Sequence, residues 1–561
     1  MHKRLRVLFV AVVVLAALLA AAAPALAATP TRVLLVVMDQ MQPEYAKQYN
    51  MSNVLMLQNL GVNFPNAWVG DMASETVVSH NVMVSGLFPK NMGWSDEAIR
   101  DVHNVLGYGE NAIVTVGDLG TADYVKMIQS MDYPKLGDYL HDTYPDRIVA
   151  NVGQKGYQVE SMAASSSDFW VRMGSKKKTV DLADPTVVPW TGTYRGVGGN
   201  PPAYIASDNR FKVSVGNNND PNDYYGTKVD KPAWMYPEDG RYVAGPYADH
   251  KSGDMWVADA AMKIMELEDW SGLFVTFSAI DKIGHMWGGG AVDNLENYTW
   301  DPESIFREVH MPWAAKNADD QLGRVIDKLK ELGQFNDTLI VVTADHGSTY
   351  GGSGFYGNNV YDGGNVGGWY AGAWYPGYVT PMTPNTSAGP DALAPLMATG
   401  KVEFSYQSTS IQSWLKMGNR SWGDRLAVAR VMKALPGVIA TYVRHGSRYA
   451  LASSSSTMTA AEKSWWLQTG QALVDSMAFP GSGDVVGLLA DKTVYAVYGD
   501  HGGAQMDVQR IPMAWYMPGM KHAVNNAKIR LVDMMPTILK TMGVRQLAPM
   551  DGTAYTLKLP N

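Results

Sequence analysis

The chain has 561 residues, a formal net charge of −8 and no cysteine. That length suits one large domain with insertions or several smaller ones. Without thiols there can be no disulfide framework, thiol catalysis or thiolate metal site, so any metal must be held by His, Asp or Glu. A mildly acidic composition without basic runs argues against nucleic acid or an anionic membrane as a binding partner.

Met1–Ala27 reads as a leader. His2, Lys3, Arg4 and Arg6 form a basic start, Val7–Ala23 is apolar, and Ala25-Leu26-Ala27 is a small-residue cleavage site. An uncleaved anchor helix is the alternative, and the Ala-Leu-Ala ending favours cleavage. Losing Lys3, Arg4 and Arg6 moves the formal charge from −8 to −11. No later stretch is apolar for long enough to span a bilayer. The expectation is a secreted, extracytoplasmic protein.

The first buried strand is Arg32–Met38, followed by Asp39. Met72–Gly93 carries Thr76 in a run with helical apolar spacing, closed by Gly86-Leu87-Phe88-Pro89. Leu136–Leu140 predicts a helix leading into a strand at Arg147–Val152, which ends at Gly153-Gln154-Lys155-Gly156. Pro185–Asp254 is rich in Gly, Pro, Asn and Tyr and reads as an irregular insertion. Leu273–Ile280 is the next buried strand, ended by Asp281, with Gly284-His285 just beyond.

Ala318–Leu332 is amphipathic, with Leu322, Val325, Ile326, Leu329 and Leu332 on one face and Gly333 as the stop. It feeds Leu339–Gly347 (Leu-Ile-Val-Val-Thr-Ala-Asp-His-Gly), a buried strand that runs out at Asp345 and His346. Helix-to-strand alternation implies a parallel sheet.

Ser348–Pro390 is crowded with Gly, Asn, Trp and Tyr, a length of loop that is uncommon unless functional. Its aromatics, among them Phe355, Tyr356, Tyr361 and Trp369, suit either a base- or sugar-stacking cap or self-packing. Helix and strand character returns at Ser410–Lys416, Asp424–Ala434 and Val438–Val443, and Ala460–Met477 reads as a helix. Thr493–Tyr498 reads as a strand followed by Gly499-Asp500-His501-Gly502. Leu531–Met542 is a closing helix with Pro536 near its start.

Four predicted strands thus end in candidate ligands: Asp39, Asp281 with His285, Asp345-His346, and His501. In open α/β sheets ligands bind outside the carboxyl ends of the strands. Sorted by type, these residues make two three-ligand sets, Asp-His-His and Asp-Asp-His. Each leaves an open position, as catalytic zinc sites do.

Thr76-Val-Val-Ser-His80, Val84-Ser-Gly-Leu-Phe-Pro89 and Gly93 resemble the nucleophile segment of the type I phosphodiesterases / nucleotide pyrophosphatases of the alkaline phosphatase superfamily. Asp281-Lys-Ile-Gly-His285 is similar to that family's Asp-x-x-Gly-His, Asp345-His346-Gly347 to its Asp-His-Gly, and His501-Gly502 to its last ligand. The order and wide spacing agree over nearly the whole chain after the leader.

The resemblance implies an α/β, alkaline-phosphatase-like three-layer sandwich. A mostly parallel central sheet would carry helices on both faces, in one catalytic domain at 28–561 with irregular cap insertions at about 185–255 and 348–480. It also implies a two-zinc hydrolase of phosphate esters. Asp281, His285 and His501 would hold one zinc. Asp39, Asp345 and His346 would hold the other, which also contacts the oxygen of Thr76, the nucleophile of a phospho-threonine intermediate.

His80 matches a family position but reads better as a capping or packing residue. Lys155 is a candidate phosphate contact, as in some monoesterases of the superfamily, with a solvated lysine as the alternative. Glu97 stands where the resembled diesterases place an asparagine that donates to a phosphoryl oxygen. A carboxylate there disfavours the extra charge of a monoester, so diesters and pyrophosphates are modestly favoured.

The expected partner is a small phosphate ester. The alternatives are a monoesterase of the same superfamily and a non-catalytic surface-binding relative. A sulfatase is disfavoured, because Thr76 lacks the Cys/Ser-x-Pro-x-Arg context, and a multi-span membrane transferase lacks its helices.

Overall fold

Six consecutive side chains, Val33 to Met38, are wholly buried, which a strand achieves only when both of its faces are covered. In the computed structural model this strand, β1 (Arg32–Met38), lies at the centre of a nine-stranded sheet. The structure describes residues 29–115, 119, 121–163, 166–172, 202–208, 253–281, 284, 307–349, 390–455, 459–465, 469–495 and 499–559, with short pieces between 186 and 242 and at 354–355. The leader segment, His285 and nearly all of the aromatic run after Tyr350 lie outside the described residues.

The other members of the sheet are β2 (Val62–Asn63), β3 (Ile148–Gly153), β4 (Phe169–Arg172), β5 (Trp190–Thr193), β6 (Trp270–Phe277), β7 (Thr338–Thr343), β8 (Met513–Tyr516) and β9 (Ala523–Val524). Their spatial order is β9-β2-β8-β7-β1-β6-β3-β4-β5. The five consecutive strands β7-β1-β6-β3-β4 are parallel, and β8 and β5 flank them antiparallel.

Register places the site. Met38 pairs with Phe277, Val37 with Thr343, and Gly153 with Thr276. The carboxyl ends of β1, β3, β6 and β7 therefore finish level, and the residues after them share one edge.

The helices form two groups. In one, α1 (Ser52–Leu60) and α4 (Gly253–Leu267) pack against α5 (Arg307–Glu331). In the other, α3 (Gly156–Ala163) and α6 (Met534–Met542) pack against α2 (Thr76–Ser85). All ten residues of α2 are buried, consistent with its lack of a polar face. No helix among the described residues is long and apolar enough to cross a membrane.

A second, five-stranded antiparallel sheet occupies the region after residue 400. Its spatial order is Val402–Gln407, Ser410–Leu415, Val485–Leu489, Val438–His445 and Arg448–Ser454. Helix Trp422–Lys433 packs on it, begun by a Ser421–Asp424 capping box, and the two share an apolar cluster that includes Ile411, Val428, Met432 and Val485.

Several elements differ from the sequence expectations. Helix α5 begins at Arg307, because the buried stripe runs on through Ala315, Ala314 and Met311. By contrast, the described parts of the predicted Ala460–Met477 helix, Ala460–Trp465 and Gln471–Ser476, are helical as expected. The stretch from Thr493 keeps only Thr493–Val494 as described strand, paired with Gly354–Phe355 rather than with the central sheet. Among the described residues His501 stands on a loop, 499–503.

Candidate active site

The residues that follow the core strands converge. Asp39 comes directly after β1, and its backbone N–H donates to the Phe277 carbonyl at 2.9 Å. Asp345 and His346 come just after β7. Asp281 lies in a helical turn after β6. That turn is fixed by Asp254 at the start of α4, whose carboxylate accepts from the backbone N–H groups of Ser278 (2.8 Å) and Ala279 (3.3 Å).

Thr76 is the first residue of α2, where unpaired backbone N–H groups and the positive end of the helix dipole favour an incoming anion. Its Oγ1 lies 3.1 Å from Nε2 of His346. That same nitrogen is 3.4 Å from Asp345 Oδ2 and 3.7 Å from Asp39 Oδ1. Nδ1 of His346 lies 2.9 Å from the Gly347 carbonyl, which can only accept, so the proton sits on Nδ1 and the Nε2 lone pair faces the carboxylates.

Two donor sets arise. Asp39, Asp345 and His346 form one, and Asp281, His346 and His501 the other, each with ligand atoms within 4.8 Å of one another. The His346 and His501 rings stack with centroids 3.7 Å apart. The first set is the one expected from sequence. In the second, Asp281 and His501 come together as expected, with His346 beside them.

These side chains fit a bound cation. Asp39 Oδ1 and Asp345 Oδ2 are buried and have no hydrogen-bond partner among the described residues. Among the described residues, four buried carboxylates, Asp39, Glu75, Asp281 and Asp345, share the site with one ammonium, that of Lys155. Burial, then the charges of Asp281 and Asp345, push the Asp39 carboxyl well above the usual range, against the pull of Lys155. Burial acts on Asp345 in the same sense, but His346, His80 and Lys155 outweigh it and hold that carboxyl low. A divalent ion would relieve the repulsion that raises Asp39.

Lys155 is not a solvated lysine. Its side chain is 4 % exposed, and Nζ donates to Asp39 Oδ2 at 2.7 Å and to Asp281 Oδ2, bridging a carboxylate from each set. Glu97 is half-buried and accepts from the Tyr406 hydroxyl at 3.1 Å, so the second sheet touches the site through it. Its charge also raises the Glu75 carboxyl, after burial and ahead of Asp96.

His80 packs, as expected. Its Nδ1 donates to the Thr76 carbonyl at 2.7 Å, Nε2 accepts from the Thr276 hydroxyl at 3.0 Å, and burial pulls its pKa down to about 4.

Sequence reasoning missed three supporting residues. Gln40 donates its backbone N–H to Asp345 Oδ1 (3.1 Å) and its side-chain amide to Asp281 Oδ1 (3.3 Å), from a left-handed backbone with φ of 69°. Such a conformation in a buried non-glycine residue is held by its surroundings. Gly284 leaves the room, since a Cβ there would lie 1.9 Å from Gln40 Oε1. Gln158, on α3, donates to Asp39 Oδ2, and its spacing of three from Lys155 was the available signal. Glu75 sits beside Thr76 in the chain, and its Oε2 lies 2.6 Å from His501 Nδ1.

Among solved structures, a multiply substituted form of alkaline phosphatase PafA superposes with a TM-score of 0.56 at 14% identity, covering 92% of this chain and 96% of that one. Wild-type PafA gives 0.54 at 15% identity with the same coverage. Murine ectonucleotide pyrophosphatase / phosphodiesterase 5 gives 0.49 at 10% identity, covering 93% and 97%. No curated protein matches the chain in sequence.

The sheet and its occupied edge define the class: an α/β protein with the alkaline-phosphatase-like fold. A family model described as type I phosphodiesterase / nucleotide pyrophosphatase matches residues 33–362, more than half of the chain. The chain belongs to that family, and phosphoester hydrolysis is the chemistry that its site must be read against.

Proposed function

We propose that this protein is an exported two-zinc hydrolase of phosphate esters that works through phospho-Thr76 and modestly favours diesters and pyrophosphates. The observation that carries the reading is the Thr76 hydroxyl, 3.1 Å from a lone-pair nitrogen of His346 within the Asp39, Asp345 and His346 set.

Asp39, Asp345 and His346 would hold one ion, and Asp281 and His501, with His285 from outside the described residues, the other. When bound, such ions lower the pKa of a hydroxyl and neutralise phosphoryl charge. The chain supplies the positioning that phosphoryl transfer mostly needs. Helix α2 holds Oγ1 at its N-terminus, where the new oxygen–phosphorus bond forms as the bond to the leaving oxygen breaks. The departing alcohol takes up a proton, and water then cleaves the threonine ester and releases the phosphoryl group. Lys155 offers an ammonium where the phosphoryl charge gathers.

A second reading, a monoesterase, is favoured by that buried Lys155, since an ammonium in the site offsets the extra charge of a monoester. A non-catalytic relative is disfavoured, because Thr76 and every ligand position are filled.

Turnover of matched aryl phosphodiesters and monoesters by purified protein, with mass mapping of a trapped phosphopeptide to Met72–Val78, tests the reading. Full turnover by Thr76→Ala would remove it. Export is tested by sequencing the amino terminus of the secreted protein, which should begin at Ala28.

A further inference from the structure

Beyond the ligands themselves, one contact at the Asp281 and His501 end has a defined geometry. Glu75 Oε2 lies 2.6 Å from His501 Nδ1, with the two side chains 2 % and 7 % exposed. On its other ring edge, His501 Nε2 lies 3.8 Å from Asp281 Oδ1. The Glu75–His501 distance is that of a charge-assisted contact, although the ring N–H is not yet aligned as a hydrogen bond.

The backbone is shaped for this carboxylate. Gly502 has φ of 88°, and a Cβ there would lie 1.9 Å from Glu75 Oε1. The Gly502 amide donates to the Ser74 carbonyl at 3.1 Å, tying the His501 loop to the residue before Glu75. His346 differs, since its Nδ1 is held by a neutral carbonyl from its own neighbour.

We infer that Glu75 is the positioning residue for His501: its carboxylate holds the proton on Nδ1 and turns Nε2 toward Asp281, so that this pair is set to take a divalent cation. A carboxylate behind a ligating imidazole fixes its tautomer and orientation and raises its basicity. Glu75 thereby links the nucleophile's own segment to the more distant donor set. The inference rests on the two-metal reading above.

The test uses the full chain and zinc alone. Wild type, Glu75→Gln and Glu75→Ala are stripped of metal and titrated with Zn²⁺ by calorimetry. Stoichiometry is read by elemental analysis, and cobalt-substituted protein is followed by its visible absorption. Glu75→Gln keeps the shape of the side chain and removes its charge, so it should fold as wild type does.

The expected result is two ions in wild type and, in Glu75→Gln, one site weakened about 10–100-fold with the other unchanged. Glu75→Ala should lose more at that same site, and the cobalt band assigned to it should shift. Two ions in wild type with unchanged affinities and spectrum in Glu75→Gln would overturn this inference alone. A wild type that binds no ion would overturn the two-metal reading and this inference together.

Discussion

The two donor sets are built differently. Asp39, Asp345 and His346 stand at the ends of two paired strands, β1 and β7, whose register fixes their spacing; Asp345 and His346 are held by backbone groups, while Asp39 draws on distant side chains, those of Lys155 and Gln158. Asp281 and His501 come from a turn beyond β6 and from a loop at 499–502, and they rely on side chains from afar, Gln40, Lys155 and Glu75. A set fixed by the sheet is part of the fold. A set fixed by loops and borrowed side chains can be emptied without undoing the fold.

The largest effect should come from the hydroxyl beside the sheet-built set. Thr76→Ala should lower kcat at least about 10³-fold, whereas Thr76→Ser, which keeps the oxygen, should retain measurable turnover. Steady-state kinetics on an aryl diester decides this. Removing metal should come close behind: a chelator should abolish hydrolysis, and elemental analysis should find close to two zinc ions per chain. One ion, or none with activity intact, would collapse the comparison.

The comparison then predicts unequal costs at the two ends. Asp345 accepts the backbone N–H groups of Gln40 and His346 and lies wholly buried. Asp345→Ala should therefore empty its set and also destabilise the protein by roughly 1–3 kcal/mol, because two buried donors lose their partner. His501→Ala should empty the other set and leave the melting temperature of metal-free protein nearly unchanged. Thermal unfolding of both variants after chelation measures the difference, and equal losses would mean that the loop is as structural as the sheet.

Acidity divides the buried carboxylates in another way. Asp39 has a raised carboxyl pKa in the folded state, and burial pushes Asp96 up to about 7. For both groups the folded chain binds protons that the unfolded chain has already released, so stability falls as pH rises through the folded pKa. Asp345 is held low, so its contribution is lost only below about pH 4, the usual carboxylate range. Buried His80 and Lys135, pulled down to about 4 and about 7, act in the opposite sense over the same range, so the Asp96 share is read by difference. Between pH 6 and pH 8 metal-free Asp96→Asn should lose less stability than wild type, by roughly 1–3 °C in melting temperature. Calorimetric scans of both proteins test it; an identical pH dependence in the two would contradict the assignment.

The same contrast explains what could be read from sequence. Arg32–Met38, Leu273–Ile280 and Leu339–Gly347 are apolar without alternation, so buried parallel strands and the ligands at their ends were visible in composition alone. His501 was placed at the end of a fourth such strand, yet only Thr493–Val494 is described there as strand, and it pairs outside the central sheet. The strand rule and the ordered set of motifs both point to His501, and only the motifs are independent of how residues 493–498 pair. Lys155 left its burial open, because nothing local says that two carboxylates from distant segments will close around it. Gln40 and Glu75 were invisible for the same reason: each acts on a ligand 241 to 426 positions away, and short-range pattern carries no such information; Gln158 offered only its spacing of three from Lys155.

The smallest expected effect lies where the second sheet meets the site. Tyr406, from that sheet, donates to Glu97, and the Glu97 charge is felt at Glu75 next to Thr76. A carboxylate so placed repels the second charge of a monoester more than the single charge of a diester. Two unit charges about 4 Å apart interact by roughly 4 kcal/mol at an effective dielectric near 20, and the part-exposed position leaves a fraction of that. Lys155, between Asp39 and Asp281, works in the opposite sense. With both in place, kcat/KM for aryl diesters should exceed that for the matching monoester, and Glu97→Asn should raise the monoester value about tenfold, equivalent to roughly 1.4 kcal/mol. Tyr406→Phe, which removes that hydrogen bond without removing the charge, should change the ratio less. A wild type that prefers the monoester, with a Glu97→Asn variant that leaves the ratio unmoved, would assign the choice of ester to Lys155 instead.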